Sequence, residues 1–243
     1  MNHQGPGQFP TTHWTLIQSI QEGSPEAAAS AFEAICHDYW YPIYAYLRRS
    51  GRQPSDAEDL TQIFFERLIA NDILQDVRKE RGKLRTFLLT ILVRLLIDAK
   101  RHQSAGKRGG GVEILSFEAL NAEDRYRNEP ADTDDPEKIY LRAWARNVTE
   151  TAAAILKETF EKKGKAELYQ TLEPFLFEEE SKPPYAELAV KLDSTEGAVR
   201  LLVHRMRTTY RELFEKEVAR TVIRPEDIES ELAWLKSTLY GES

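Results

Sequence analysis

Eleven residues, DVRKERGKLRT (76–86), hold five cations: Arg78, Lys79, Arg81, Lys83 and Arg85. At that density they can neutralise the phosphates of a nucleic-acid strand; the plainer alternative is an exposed basic loop. A second set lies in DSTEGAVRLLVHRMR (193–207), where Ser194, Thr195, Glu196, Arg200, His204, Arg205 and Arg207 follow one another, with Arg211 beyond. Arginines on a helix can serve phosphates or base edges when its N-terminal half enters a major groove. They can equally solvate an amphipathic helix, with Glu212, Glu215 and Glu217 as partners. A third set, in DAEDLTQIFFERL (56–68), is acidic and polar: Asp56, Glu58, Asp59, Gln62 and Glu66. Catalytic chemistry has no comparable set. The single cysteine, Cys36, and the five scattered histidines have no metal-ligand spacing. AGKRGGG (105–111) lacks the glycine-lysine-serine or threonine order of a phosphate loop. Neither an enzyme nor a bound cofactor or metal is expected.

These side chains need helices to position them. In the acidic set, Ala57, Leu60, Phe64 and Leu68 recur at helical spacing, with Thr61, Phe65 and Ile69 beside them and Asp59, Gln62 and Glu66 opposite. Ser55 and Glu58 fit a capping box, and the early carboxylates suit the helix dipole. In PPYAELAVKLDSTEGAVRLLVHRMRTTYRELF (183–214), a short helix with Tyr185, Leu188, Ala189 and Leu192 on one face precedes a longer one with Val199, Leu202, Val203, Met206 and Tyr210 in register. Small Ala189 before the turn and Val199 after it are what close packing of a helix-turn-helix requires. Ser194 and Thr195 can cap the second helix.

Helical periodicity extends over about 12–21, 25–50, 55–71, 83–102, 136–161, 164–178, 184–192, 195–219 and 225–240. VEILSF (112–117) alternates but is solitary. Pro42 is expected to break or kink the second helix after Tyr41. FLLTILVRLLIDA (87–99) is too short to span a bilayer and carries Arg94, so it reads as a core helix with one polar exit. The start of the chain lacks the pattern of a signal peptide, and a cytoplasmic location is expected. The net charge of -7 conceals an alternation: residues 36–110 carry 14 basic and 9 acidic side chains, and 111–140 carry 3 and 9. The expected fold is all-α, with two helical domains joined by a flexible acidic linker and a helix-turn-helix in the second. The expected boundaries are 1–105, a linker over 106–138, 139–220 and a C-terminal helical extension over 221–243.

Taken in this order, the acidic helix and the helix-turn-helix resemble the sigma-70 class of bacterial sigma factors, specifically the extracytoplasmic-function type. Asp56, Ala57, Glu58, Asp59, Leu60, Gln62 and Phe65 match that family's core-binding signature. Phe87, Leu88, Ile91, Ile97, Asp98 and Arg101 resemble its next helix. Glu187, Leu188, Ala189, Leu192, Gly197, Val199, Arg200, Arg205 and Arg207 resemble its helix-turn-helix. The resemblance covers roughly 30–105 and 165–217. It implies a subunit that binds core RNA polymerase and directs promoter-specific initiation. Asp56, Glu58, Asp59, Gln62, Phe65 and Glu66 would dock on the beta-prime clamp helices, the second domain would approach the beta flap, and promoter DNA would be the other partner. The minus-ten strand would meet Arg78, Lys79, Arg81, Lys83, Arg85, Arg94 and Arg101. The minus-thirty-five element would meet Ser194, Thr195, Glu196, Arg200, His204, Arg205 and Arg207. A stand-alone helix-turn-helix regulator, repressor or activator, is the alternative, and it leaves the acidic helix without a task.

Several positions depart from the family pattern. Phe87 stands where tryptophan is usual, Arg94 where asparagine is, and Leu202 where a basic residue is common. An acidic insertion (169–189) replaces the usual leucine-proline opening of the second domain. Trp14, Ile17 and Ile20 are placed to pack on the first domain. Ile228, Leu232 and Leu235 fall on one side of a final helix, which either completes the core or folds back to moderate DNA or polymerase binding. An anti-sigma factor or this C-terminal helix, acting as an autoinhibitor, would be the means of restraint.

Overall fold

The structure, a computed structural model, describes residues 13–70, 73–74, 83–102, 121–129, 135–177, 182–222 and 224–240. Among them are ten α-helices and no strand. In order these are α1 (His13–Glu22), α2 (Pro25–Arg49), α3 (Pro54–Ala70), α4 (Leu84–His102), α5 (Ala122–Arg127), α6 (Pro136–Lys162), α7 (Ala166–Leu172), α8 (Tyr185–Lys191), α9 (Glu196–Thr221) and α10 (Ile228–Tyr240). The all-α expectation holds, and most boundaries fall within two or three residues of the periodicity. The exception is α5, a six-residue helix inside the expected linker.

Two compact units result: residues 1–147 with 219–243, and residues 148–218. This division differs from the sequence expectation. The C-terminal extension belongs to the first unit, as do α5 and the first half of α6, so the boundaries fall inside α6 and inside α9.

In the first unit α2 is the spine, buried from Tyr39 to Leu47 and packed by α1, α3, α4 and α5. Ser24 caps it, its Oγ accepting the Ala27 amide at 3.3 Å. Pro42 does not break it, the first of the two outcomes expected there. Proline removes the amide that would bond the carbonyl four residues earlier, at Asp38. That carbonyl instead accepts from the Asn147 side-chain amide at 2.9 Å. α3 also departs in detail, because Pro54 occupies the first turn and the Gln53 carbonyl accepts the Ala57 amide. Ser55 therefore lies inside the helix rather than at its cap. α4 buries Leu84, Leu88, Leu92 and Leu95 and leaves Arg94 exposed, as the pattern indicated.

α5 is built into this unit through Glu123. Its carboxylate accepts from Tyr44 Oη at 2.7 Å and from Arg48 Nε and Nη2 at 2.8 and 3.0 Å. Just after α5, Glu129 joins Tyr41 at 2.9 Å to Arg146 at 2.7 Å. The second unit packs Leu156, Tyr169, Leu172, Phe175, Leu188, Val199, Val203 and Met206 into one core.

Glu123 carries a pH signature. The Arg48 hydrogen bonds, opposed by partial burial and helped by Tyr44, hold its carboxyl down at about 2 from an ordinary 4.5. A carboxyl lowered in the folded state adds stability above the unfolded value and loses it as pH falls toward the folded one. Glu123→Gln is expected to lower stability at pH 7 by about 1 kcal/mol. It should also flatten the loss of thermal midpoint that the unaltered protein shows between about pH 4.5 and 2, read by circular dichroism.

Candidate functional site

The outward face of α3 is a carboxylate and amide stripe. Ala57, Thr61, Phe64, Phe65 and Leu68 are buried, whereas Asp56, Glu58 and Asp59 are exposed and Gln62 and Glu66 half-buried. Gln62 Nε2 donates to Glu66 Oε1 at 3.1 Å, which fixes the two side chains one turn apart. Helical spacing sets Asp59, Gln62 and Glu66 in one row, and the exposed Ile63 and Ile69 flank it. Ile69 was expected on the core side, and Ile63 was not singled out. Their signal is present in the sequence, since two β-branched apolar residues bracket an acidic row.

Phe65 is a correction to the expected docking set. It has no exposed surface and packs edge-on to Phe64 and Phe32, with ring centroids 5.3 and 6.2 Å away. It shapes α3 from beneath and is not available to a partner.

The basic set changes more. Arg78, Lys79, Arg81 and the side chain of Arg101 lie outside the described residues. Arg94 is exposed on α4, in line with Thr90 and Ile97. Arg85 is only 4% exposed and forms a fork with Glu231 of α10, which is wholly buried; Lys83 pairs with the same carboxylate. The Arg85 guanidinium lies between two indoles, 4.4 Å from the Trp144 centroid and 4.1 Å from that of Trp234. Tyr140 Oη donates to the Arg85 carbonyl at 2.9 Å, and Thr221 Oγ1 donates to Glu231 at 3.4 Å. Burial alone would raise the Glu231 carboxyl, but hydrogen bonds and charge from Arg85 and then Lys83 hold it below the ordinary range. Turning Arg85 out to a phosphate would leave that buried carboxylate with only Lys83 and Thr221, at a cost on the order of a few kcal/mol. Arg85 is thus a structural cation rather than an exposed strand contact, and Lys83 shares its partner. Glu231 itself was readable as an anomaly, falling on the same helical face as Ile228 and Leu235.

In the second unit α8 and α9 follow one another across a tight turn, over the residues where a helix-turn-helix was expected. α8 ends in a Schellman turn, the Ser194 amide bonding the Ala189 carbonyl at 2.9 Å and the Asp193 amide that of Val190 at 3.2 Å. The residue after the cap must be left-handed there. Gly51 and Gly164 fill that role after α2 and α6, and Asp193, at φ 45°, fills it here. Thr195 Oγ1 accepts the Ala198 amide at 3.2 Å and caps α9. Val199, Val203 and Met206 face inward, with Leu202 half-buried on the same core. Ser194, Glu196, Arg200, His204 and Arg205 are exposed. Arg207 is a second correction: its Nε donates to the Phe175 carbonyl at 2.6 Å, tying α9 to the turn after α7. Leu201, half exposed in this row, carried no role in the sequence reading.

Among the described residues no helix is long and apolar enough to cross a membrane, and no cluster of His, Cys, Asp or Glu could hold a metal ion. Residues 39–106, from within α2 to just beyond α4, match the family model of sigma-70 region 2. The match supports a sigma-70 family sigma factor. Comparison with curated proteins and with solved structures finds no match.

The buried fork predicts how its variants behave. Glu231→Ala should lower stability in urea unfolding by about 3–5 kcal/mol, because it strands the buried Arg85, and Arg85→Ala should cost less, because Lys83 still pairs with the Glu231 carboxylate. The double variant Arg85→Met/Glu231→Leu should lose less than the sum of the two single changes.

Proposed function

We propose that the chain is a promoter-specificity subunit of the extracytoplasmic-function type, acting in the bacterial cytoplasm without catalysis of its own. It docks on core RNA polymerase through the outward row of α3. Asp59, Gln62 and Glu66 give register against the beta-prime clamp helices, and Ile63 and Ile69 supply the apolar margin that a stable interface needs. Arg78, Lys79 and Arg81, which follow α3 in the sequence, with Arg94 on α4, neutralise the phosphates of the opened minus-ten strand. The helix-turn-helix takes the upstream promoter element through Arg200, His204 and Arg205, close to the beta flap.

The observation that carries this reading is the coincidence of the sigma-70 region 2 match with a row of carboxylates and an amide on α3 that the core does not use. A solitary helix-turn-helix regulator would account for α8 and α9 alone. It would leave that row, and the match over 39–106, unexplained.

Reconstituted transcription tests the proposal. Purified protein and bacterial core polymerase, on genomic fragments, should give new and discrete start sites. Asp59→Arg with Gln62→Ala should reduce both co-purification with core and transcript yield by at least about tenfold, the scale of one lost charged contact, with only a small change in thermal midpoint, because what the fold loses is the Gln62–Glu66 hydrogen bond. Duplex binding without polymerase, beside no association with core, would instead favour the regulator.

A further inference from the structure

On α9 the first three turns carry an outward row that is neither acidic nor made of long cations: Gly197, Leu201 and His204, at i, i+4 and i+7. Leu201 is 49% exposed, while its neighbour Leu202 turns inward to the core. Gly197 has no packing duty, since a Cβ built there would meet nothing within 4 Å. Gly197 stands in the first turn of α9 and leaves the space one turn before the exposed Leu201 open to a close approach.

The flanks say what kind of surface comes close. Arg200 and Arg205 stand on either side of the row, both exposed. The Arg200 guanidinium is already held, 4.4 Å over the Tyr185 ring and 3.5 Å from the Glu196 carboxylate, so little freedom remains to be lost on binding. Farther along the same face come Glu212 and Glu215, which phosphate would repel. Positive flanks around an apolar row near the helix start, followed by acids, fit a helix entering a major groove by its N-terminal half. In that groove the one apolar feature of a base edge is the thymine 5-methyl group.

Resting on the promoter-binding reading above, we infer that Leu201 is a specificity-determining residue that packs on the 5-methyl of a thymine in the upstream promoter element. Gly197 clears the approach, and Arg200 and Arg205 hold the phosphates on either side.

The test uses the full chain assembled with core polymerase on a promoter it selects. Each thymine of the upstream element is replaced in turn by deoxyuridine, which lacks only the methyl group, and binding is measured by competition. The unaltered protein should lose about fourfold at one position, the worth of one buried methyl. Leu201→Ala should bind the thymine and deoxyuridine promoters equally, at the weaker affinity. Arg200→Ala should weaken both and keep the difference between them. Gly197→Ala should raise the thermal midpoint while weakening binding to every promoter. A selected element without thymine, no sensitive position, or a sensitivity that survives Leu201→Ala would overturn the inference and leave promoter binding intact. Failure of the holoenzyme to bind any promoter specifically would overturn both.

Discussion

A carboxylate with no access to water has to be answered where it stands, and Glu231 is answered by the Arg85 fork, Lys83 and Thr221. Ion pairs of this kind add little net stability over an apolar replacement, yet they punish any arrangement that separates the partners. The pair therefore acts as a constraint. It fixes the start of α4 against α10, and the two indoles that sandwich Arg85 fix α6 as well. The consequence for function is a division of labour within one basic stretch. Lys83 and Arg85 serve the fold, which takes them out of the set of cations open to a phosphate.

The same economy of polar groups runs along α2. Pro42 would leave a carbonyl unsatisfied in a buried helix, and Asn147 supplies its donor from α6. Tyr41 and Tyr44 are buried, and their hydroxyls find Glu129 and Glu123, carboxylates whose other partners are arginines. Buried tyrosines such as these are workable because their hydroxyls end on an acceptor. α5, short as it is, exists in this unit because it brings Glu123 to Arg48.

How much of this was legible in the sequence follows from what each feature depends on. α3, α4, α8 and α9 were readable because their apolar residues repeat at helical spacing over two turns or more. α5 was not, since six residues among glycines and acids carry no periodicity, and its reason for forming lies 75 positions away in Arg48. The acidic row on α3 was read correctly as surplus to the core. Ile69 was misassigned because it stands at the edge of the apolar stripe, where spacing alone leaves burial open, whereas Phe65 lies on the core side as its spacing indicated and its docking role came only from the family resemblance. Arg85 and Arg207 look like surface cations in any local window. Only tertiary structure shows that one meets a buried carboxylate and the other a free carbonyl.

The units are unequal in one further respect. Residues 148–218 form a continuous stretch, whereas the other unit is assembled from 1–147 and 219–243. Synthesis proceeds from the N-terminus, so the helix-turn-helix unit has all of its residues before its companion does. Until α10 leaves the ribosome, Arg85 has no Glu231, Trp144 has no Trp234, and the start of α4 and the first half of α6 wait with a charge and an indole uncovered. Long-range closure of that kind is slow and exposes apolar surface to other chains. The order of translation thus makes the last helix the step that completes the first-made part of the molecule.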